Sequence, residues 1–254
     1  YIEKVKSDNS KIAKSYYETA KNRETFSLEE ARAKSFKIDW ANCSLPKPSF
    51  VGSKVLNDFS IKELVPLIDW TYFFKAWELK GGYPKILGNQ KYGEEAKKLL
   101  SDAKNMLDSE VFLGSIKPKA TFGIFPANSI DEDIEIYKND KRNETVALFH
   151  FLRQQTASNT ENDECLCLSD FIAPKDSKIE DYLGCFAATS GSEIIELENK
   201  YIKQNDDYNA FLVRTLSDRL VEALSCYLNS VVVENYWKTD KEELKSFKGI
   251  RPAI

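Results

Sequence analysis

Apolar positions recur along this chain with two different periods, and the change between them sorts it into an extension, a mixed middle and a helical end. Residues 1–26 are rich in Lys, Glu and Asn, with only a thin stripe at Ile12, Ala13, Tyr16, Tyr17 and Ala20. That pattern predicts a mostly solvated helix, or a linker arm from a preceding domain. Ser27 with Glu30 has capping-box spacing and predicts a short helix through about Lys37. Pro46 and Pro48 stop regular structure and mark the start of the core. Ser60 with Glu63 repeats the capping-box spacing ahead of Leu64, Val65 and Leu67. Asp69 is placed to cap the next helix, where Trp70, Phe73, Phe74 and Trp77 share one face and Gly81-Gly82 ends the run. A further helix is expected over 94–107, with Ala96, Leu99, Leu100, Ala103, Met106 and Leu107 facing inward.

The period then shortens to two. Residues 121–125, 133–137 and 144–152 are rich in β-formers, and Asp133-Ile134-Glu135-Ile136-Tyr137 alternates polar and apolar as a half-exposed strand does. Residues 139–143 are polar and turn-like, so the second and third strands are expected to pair as an antiparallel hairpin. Residues 182–189 read as a fourth, more buried strand. After Gly191 the helical period returns, first near 193–203 and then in a long helix from about Asp206 to Trp237. Tyr208, Leu212, Leu216, Leu220, Leu224, Tyr227 and Val231 mark one face of that helix, and Asp206 and Asp207 suit its positive N-terminal end. Strands followed by helices predict an α+β fold: an antiparallel sheet packed with helices, the longest lying across it near the C-terminal end. Residues 1–50 read as an N-terminal helical extension and 51–254 as the core.

Composition narrows the setting more than the chemistry. With 254 residues and 42% apolar content, the chain can build one large core, or one core plus an extension. A net charge of −4 and a pI near 5.4 argue against nucleic acid as the main partner. No stretch approaches the roughly 18 consecutive apolar residues of a membrane span. The charged start Tyr1-Ile2-Glu3-Lys4-Val5-Lys6 lacks the apolar region of a signal peptide, and an opening on Tyr rather than Met reads as a cut from a longer chain. Five scattered cysteines, Cys43, Cys165, Cys167, Cys185 and Cys226, fit a reducing, cytoplasmic setting. Cys165-Leu166-Cys167 lacks zinc-finger spacing and His150 is the sole histidine, so no metal site is expected.

The candidate chemistry lies in two distant segments. Gly249-Ile250-Arg251-Pro252-Ala253-Ile254 holds an arginine beside a proline, and the planar guanidinium fork suits a carboxylate. Far upstream, Ile68-Asp69-Trp70-Thr71-Tyr72-Phe73-Phe74-Lys75-Ala76-Trp77-Glu78-Leu79 sets a lone acid at the head of an aromatic run, and Lys80-Gly81-Gly82-Tyr83-Pro84-Lys85-Ile86-Leu87 follows directly. Taken alone, Asp69 reads as an N-cap, Arg251 as a surface arginine, the Trp70, Phe73, Phe74, Trp77 face as core packing, and Asp131-Glu132-Asp133 as a solvated turn. Arg153-Gln154-Gln155 reads as either a surface strand end or a docking feature. A cap uses one carboxylate oxygen and leaves the other for a ligand, so both roles are compatible at Asp69. The chain has no G-x-G-x-x-G after a strand, no P-loop, no G-x-S-x-G and no C-x-x-x-C-x-x-C, which sets aside the corresponding enzyme classes. A ligand-presenting domain remains, whose chemistry happens on a cofactor held elsewhere.

Together the two segments resemble the activation domain of cobalamin-dependent methionine synthase, the C-terminal module that binds S-adenosylmethionine. That family carries D-W-T-x-F-F leading to G-x-Y-P-x-I-L, and a late G-I-R-P-A. The likeness continues through Phe125-Pro126-Ala127-Asn128, Asp133-Ile134-Glu135-Ile136-Tyr137, Leu152-Arg153-Gln154-Gln155, Cys167-Leu168-Ser169-Asp170-Phe171-Ile172-Ala173-Pro174, Asp206-Asp207-Tyr208-Asn209 and Asp218-Arg219-Leu220-Val221-Glu222-Ala223. The resemblance implies that Asp69 holds the ligand's ammonium, that Arg251 holds its carboxylate, and that Ala253 offers backbone atoms to the adenosine part. It also implies the partners. Cobalamin sits on a neighbouring domain or a separate protein, and a flavodoxin-type reductase supplies an electron. The domain presents the methyl donor that restores oxidised cobalamin and is not itself catalytic. In the family G-I-R-P-A continues into G-Y-P; here the sequence stops at Ile254, so the C-terminal part of the family domain is expected to be missing. The alternative is a stand-alone corrinoid-protein interaction module of the same fold that has lost S-adenosylmethionine binding.

Overall fold

Helices and strands fall largely where the apolar period changes. The computed structural model describes residues 2–21, 25–43, 45–57, 59–156 and 164–237. The Cα packing resolves into two compact units, each built from two stretches of chain: residues 1–45 with 125–183, and residues 46–124 with 184–254.

The first unit holds α1 (Ile2–Lys21), α2 (Leu28–Ala33), β3 (Asp133–Tyr137) and β4 (Thr145–His150), with the second half of β2 (Lys119–Ile130) and the start of β5 (Asp181–Thr189). Along α1 the described side chains are exposed, as its thin apolar stripe requires. Ser27 and Glu30 close the capping box at the start of α2, the Ser27 N–H donating to Glu30 at 2.8 Å and the Glu30 N–H to Ser27 Oγ at 3.2 Å. That helix ends at Ala33, short of the expected Lys37. β3 pairs antiparallel with β2 and with β4, the second pairing being the predicted hairpin. Ala127, Ile134, Ile136 and Ile172 form the apolar centre, flanked by Phe125, Ala147, Phe151 and Leu183.

The second unit contains β1 (Gly52–Leu56), α3 (Ile61–Leu64), α4 (Trp70–Ala76), α5 (Gly93–Leu107), α6 (Glu110–Ser115), α7 (Glu193–Lys203) and α8 (Asp207–Val232). All six inward positions expected of α5 are buried. In α8, Leu212, Leu216, Leu220 and Leu224 are fully buried, with Phe73, Phe74 and Leu64 among the other large enclosed side chains. Asp206 caps α8 through the Asn209 N–H at 3.0 Å.

The sheet runs β1-β2-β3-β4, with β5 paired to β2, so the fold is the antiparallel α+β arrangement expected. Four details differ. β2 continues past Phe125 to Ile130, because Pro126 falls between the β1 register, which ends at Ile124, and the β3 register, which starts at Ala127. β1 and α6 had no readable signal. β5 is buried only at Asp181 and Tyr182 and mostly exposed afterwards, not the more enclosed strand expected. Ser60 makes no side-chain cap, and only its carbonyl accepts from the Glu63 N–H. No helix among the described residues is long and apolar enough to cross a membrane.

Candidate ligand-binding site

Asp69 follows buried Ile68 and stands exposed at the head of α4. Its Oδ1 accepts from the Thr71 N–H at 2.8 Å, and no described residue donates to its other oxygen. The expected cap is therefore present, and half the carboxylate remains available. The helix is held from below by Phe73 and Phe74, both fully buried; Trp70 meets Phe73 edge-on with centroids 5.3 Å apart. Trp77 packs on Tyr208 and Phe211, and its indole N–H donates to Thr215 Oγ1 at 3.3 Å. The aromatic face is core, as expected.

The segment after α4 folds back onto it. Glu78 takes the left-handed conformation that ends the helix, and the Leu79 N–H returns to the Phe74 carbonyl at 3.0 Å. Gly81 has φ +152, and Ile86 lies 3.2 Å from where a Cβ would stand, so a side chain here would be both strained and crowded. The Tyr83 N–H then donates to Thr71 Oγ1 at 3.1 Å, while the Tyr83 ring stacks near Phe74. The two halves of the motif are thus joined at Thr71, two residues from Asp69.

Helix α8 supplies the opposite wall, since α4 packs against it. Arg219 pairs with Glu222 one turn along, and its guanidinium lies 5.9 Å from the Tyr72 ring centre. Burial first, then the charges of Glu222 and Asp69, push the Cys226 thiol above its ordinary pKa. Glu222, the last acid of Asp218-Arg219-Leu220-Val221-Glu222-Ala223, is committed to Arg219. Arg251 and Ala253, with the whole G-I-R-P-A segment, lie outside the described residues.

The profile of a family described as vitamin B12 dependent methionine synthase, activation domain, matches residues 60–254. The chain belongs to that family. It is also similar to a crystal structure of the MetH reactivation domain bound to AdoHcy, with 40% identity over 90% of this chain and 72% of that one, and a TM-score of 0.78. Within this activation-domain family member, the D-W-T and G-Y-P segments, the site's α8 wall and the buried aromatic face all lie in the matched range.

The other motif residues have a different use. Arg153 is buried and grips Asp170 with two bonds of 2.8 and 2.7 Å. Its Nε donates to Glu132 at 2.9 Å and its Nη1 to the Cys165 carbonyl at 2.9 Å. Glu132 also accepts from Arg32 Nε at 3.1 Å. Hydrogen bonding from Arg32, with Arg153 adding to it against the cost of burial, holds the Glu132 carboxyl down at about 2. The expectation of a solvated turn at Asp131-Glu132-Asp133 is corrected: Glu132 is turned inward because two guanidinium groups meet it. Arg153 is accordingly neither a surface strand end nor a free docking group. Cys165 and Cys167 are buried beside this network, and His150 Nδ1 lies 3.0 Å from Asp133.

Proposed function

We propose that this domain binds S-adenosylmethionine by its amino-acid end and presents the sulfonium methyl to a cobalamin held by a partner domain. The observation that carries this reading is Asp69, an exposed carboxylate at the head of α4 with one oxygen committed to the cap and no described donor to the other. Such a carboxylate attracts an ammonium, and the ligand's own carboxylate is left to be met by a cation. Arg251 is assigned that role, with Ala253 contributing backbone atoms to the nucleoside. The chemistry supplied when the partners are bound is one-electron reduction of oxidised cobalamin, by a flavodoxin-type reductase, coupled to transfer of the methyl and release of S-adenosylhomocysteine.

This chain's own part is positioning. Clamping both charged ends of one amino-acid moiety fixes the direction in which the sulfonium points and removes rotational freedom before reaction. Its sole histidine stands against Asp133, and the reading assigns cobalamin to the methionine synthase domain that binds it. All five cysteines are free, which suits work in the cytoplasm.

Calorimetric titration with S-adenosylmethionine tests the assignment. Asp69→Asn and Arg251→Ala are each expected to weaken binding by roughly ten- to a hundred-fold, since charged hydrogen bonds contribute about 1.5–3 kcal/mol. Unchanged affinity in both variants would remove the clamp.

A further inference from the structure

Helix α8 ends in a pinned turn. After Val232 it widens into one turn of π-helix, Val233–Trp237, a rare form that occurs mostly as single turns and often at functional sites. On one side the Tyr236 carbonyl accepts from the Ser49 N–H at 2.7 Å and from Ser49 Oγ at 3.0 Å. The Tyr236 ring meets Phe122 and Phe50, with centroids 4.9 and 6.0 Å away, and Lys54 Nζ stands 4.5 Å from the Tyr236 and Phe50 ring centres alike. On the other side the Trp237 indole lies over Gly184 of β5, 3.1 Å from where a Cβ would stand, so a side chain at 184 would have to shift the ring. Core filling does not account for this clasp. Tyr236 and Trp237 are only half-buried, and a cavity of about 310 Å³ stays open beside the indole, lined by Phe122, Gly123, Leu228 and Val232 among others. A ring placed to complete a core would close that space.

We propose that Trp237, on the turn that Tyr236 pins, is a positioning residue for the ligand clamp: it fixes the point from which the chain sets out towards Gly249-Ile250-Arg251. The inference rests on the function proposed above, in which Arg251 meets the ligand's carboxylate. Both halves of that clamp depend on α8. Helix α4, with Asp69 at its head, packs against it, and Arg251 follows its end in the sequence. An arm that leaves from a fixed base has fewer arrangements to lose on meeting a ligand than one leaving from a loose helix end, so the clasp acts through preorganisation. It acts on the arginine's end alone. Asp69 is held by its own cap and by the buried Phe73 and Phe74 beneath it.

The test titrates the whole chain and its variants with S-adenosylhomocysteine and with two analogues, one lacking the α-carboxylate and one lacking the α-amino group. Thermal unfolding of each protein is followed alongside. The unaltered chain is expected to prefer S-adenosylhomocysteine to either analogue. Trp237→Ala should lower the carboxylate preference by about three- to tenfold and leave the amino preference as it was. Trp237→Phe should restore most of that loss. Gly184→Ala, which only crowds the seat of the indole, should lower the carboxylate preference by less, and it carries the comparison if Trp237→Ala does not fold. An unchanged carboxylate preference in the folded variants would overturn the inference. Equal loss of both preferences would overturn it too, since the turn would then be structural support alone. Retention of the carboxylate preference by Arg251→Ala would instead strike the function proposed above, and this inference with it.

Discussion

Two sets of charged residues in this domain look alike as sequence and are opposites as structure. Around Arg153, two guanidinium groups and two carboxylates satisfy one another inside the first unit, with Arg153 and Asp170 side chains only 4% and 7% exposed. Around α4, Asp69 keeps an unused oxygen in solvent and Lys75, Lys80 and Lys85 face outward. Arg153, Asp170 and Asp69 each lie in a family motif. The difference is whether a charge finds its partner within the chain, and that decides between architecture and recognition. A charge paired and buried is costly to disturb, whereas a charge held open by a cap costs the fold little and is available to a ligand.

The contrast can be broken most forcefully at Arg153. Arg153→Ala would leave Glu132 and Asp170 enclosed without a cation, and is expected to destabilise the fold by about 3–5 kcal/mol in chemical denaturation. A loss below about 1 kcal/mol would mean that the network relaxes into water and is no different from the open charges around α4.

Acid reads the same network. Glu132 has a folded pKa near 2, below its unfolded value, so its contribution is present above about pH 4.5 and is lost as pH falls towards 2. About 2–3 kcal/mol should disappear over that window, and Glu132→Gln should flatten the profile. Asp181 works in the opposite sense, because burial raises its pKa and folding then favours the protonated form. Identical pH profiles for the unaltered chain and Glu132→Gln would contradict the assignment.

The capping serines sharpen the comparison at smaller scale. Ser27→Ala should cost about 1 kcal/mol, and Ser60→Ala less than about 0.5, since only Ser27 makes the side-chain bonds. Smallest of all should be the stability effect of Asp69→Asn, a few tenths of a kcal/mol, because asparagine caps as well as aspartate. Thermal unfolding of the three variants side by side checks the order.

What sequence made legible follows from the range of the interactions. Local, periodic features came through: the buried face of α5, the alternation of β3, the capping box at Ser27 and the Asp69 cap all depend on residues within a few positions. Strand β1 did not, because Gly52-Ser53-Lys54-Val55-Leu56 has no clean alternation, and its burial is set by β2. Nor did the Glu132 network, whose partners lie 21 and 100 positions away at Arg153 and Arg32. Capping-box spacing at Ser60 satisfied the pattern but not the geometry. The approach of Arg219 to Tyr72 came into view only when α8 was seen against α4, since the two residues are far apart in the chain.

The claim at the centre is that Asp69 meets the ammonium of a bound amino-acid moiety. It is tested most directly by titrating the unaltered chain and Asp69→Asn with S-adenosylhomocysteine and with its analogue lacking the α-amino group. The unaltered chain should prefer S-adenosylhomocysteine by roughly ten- to a hundred-fold, and Asp69→Asn should lose most of that preference, because removing either partner removes the same interaction. The same preference in both proteins would show that the amino group is held elsewhere and that Asp69 is a helix cap alone.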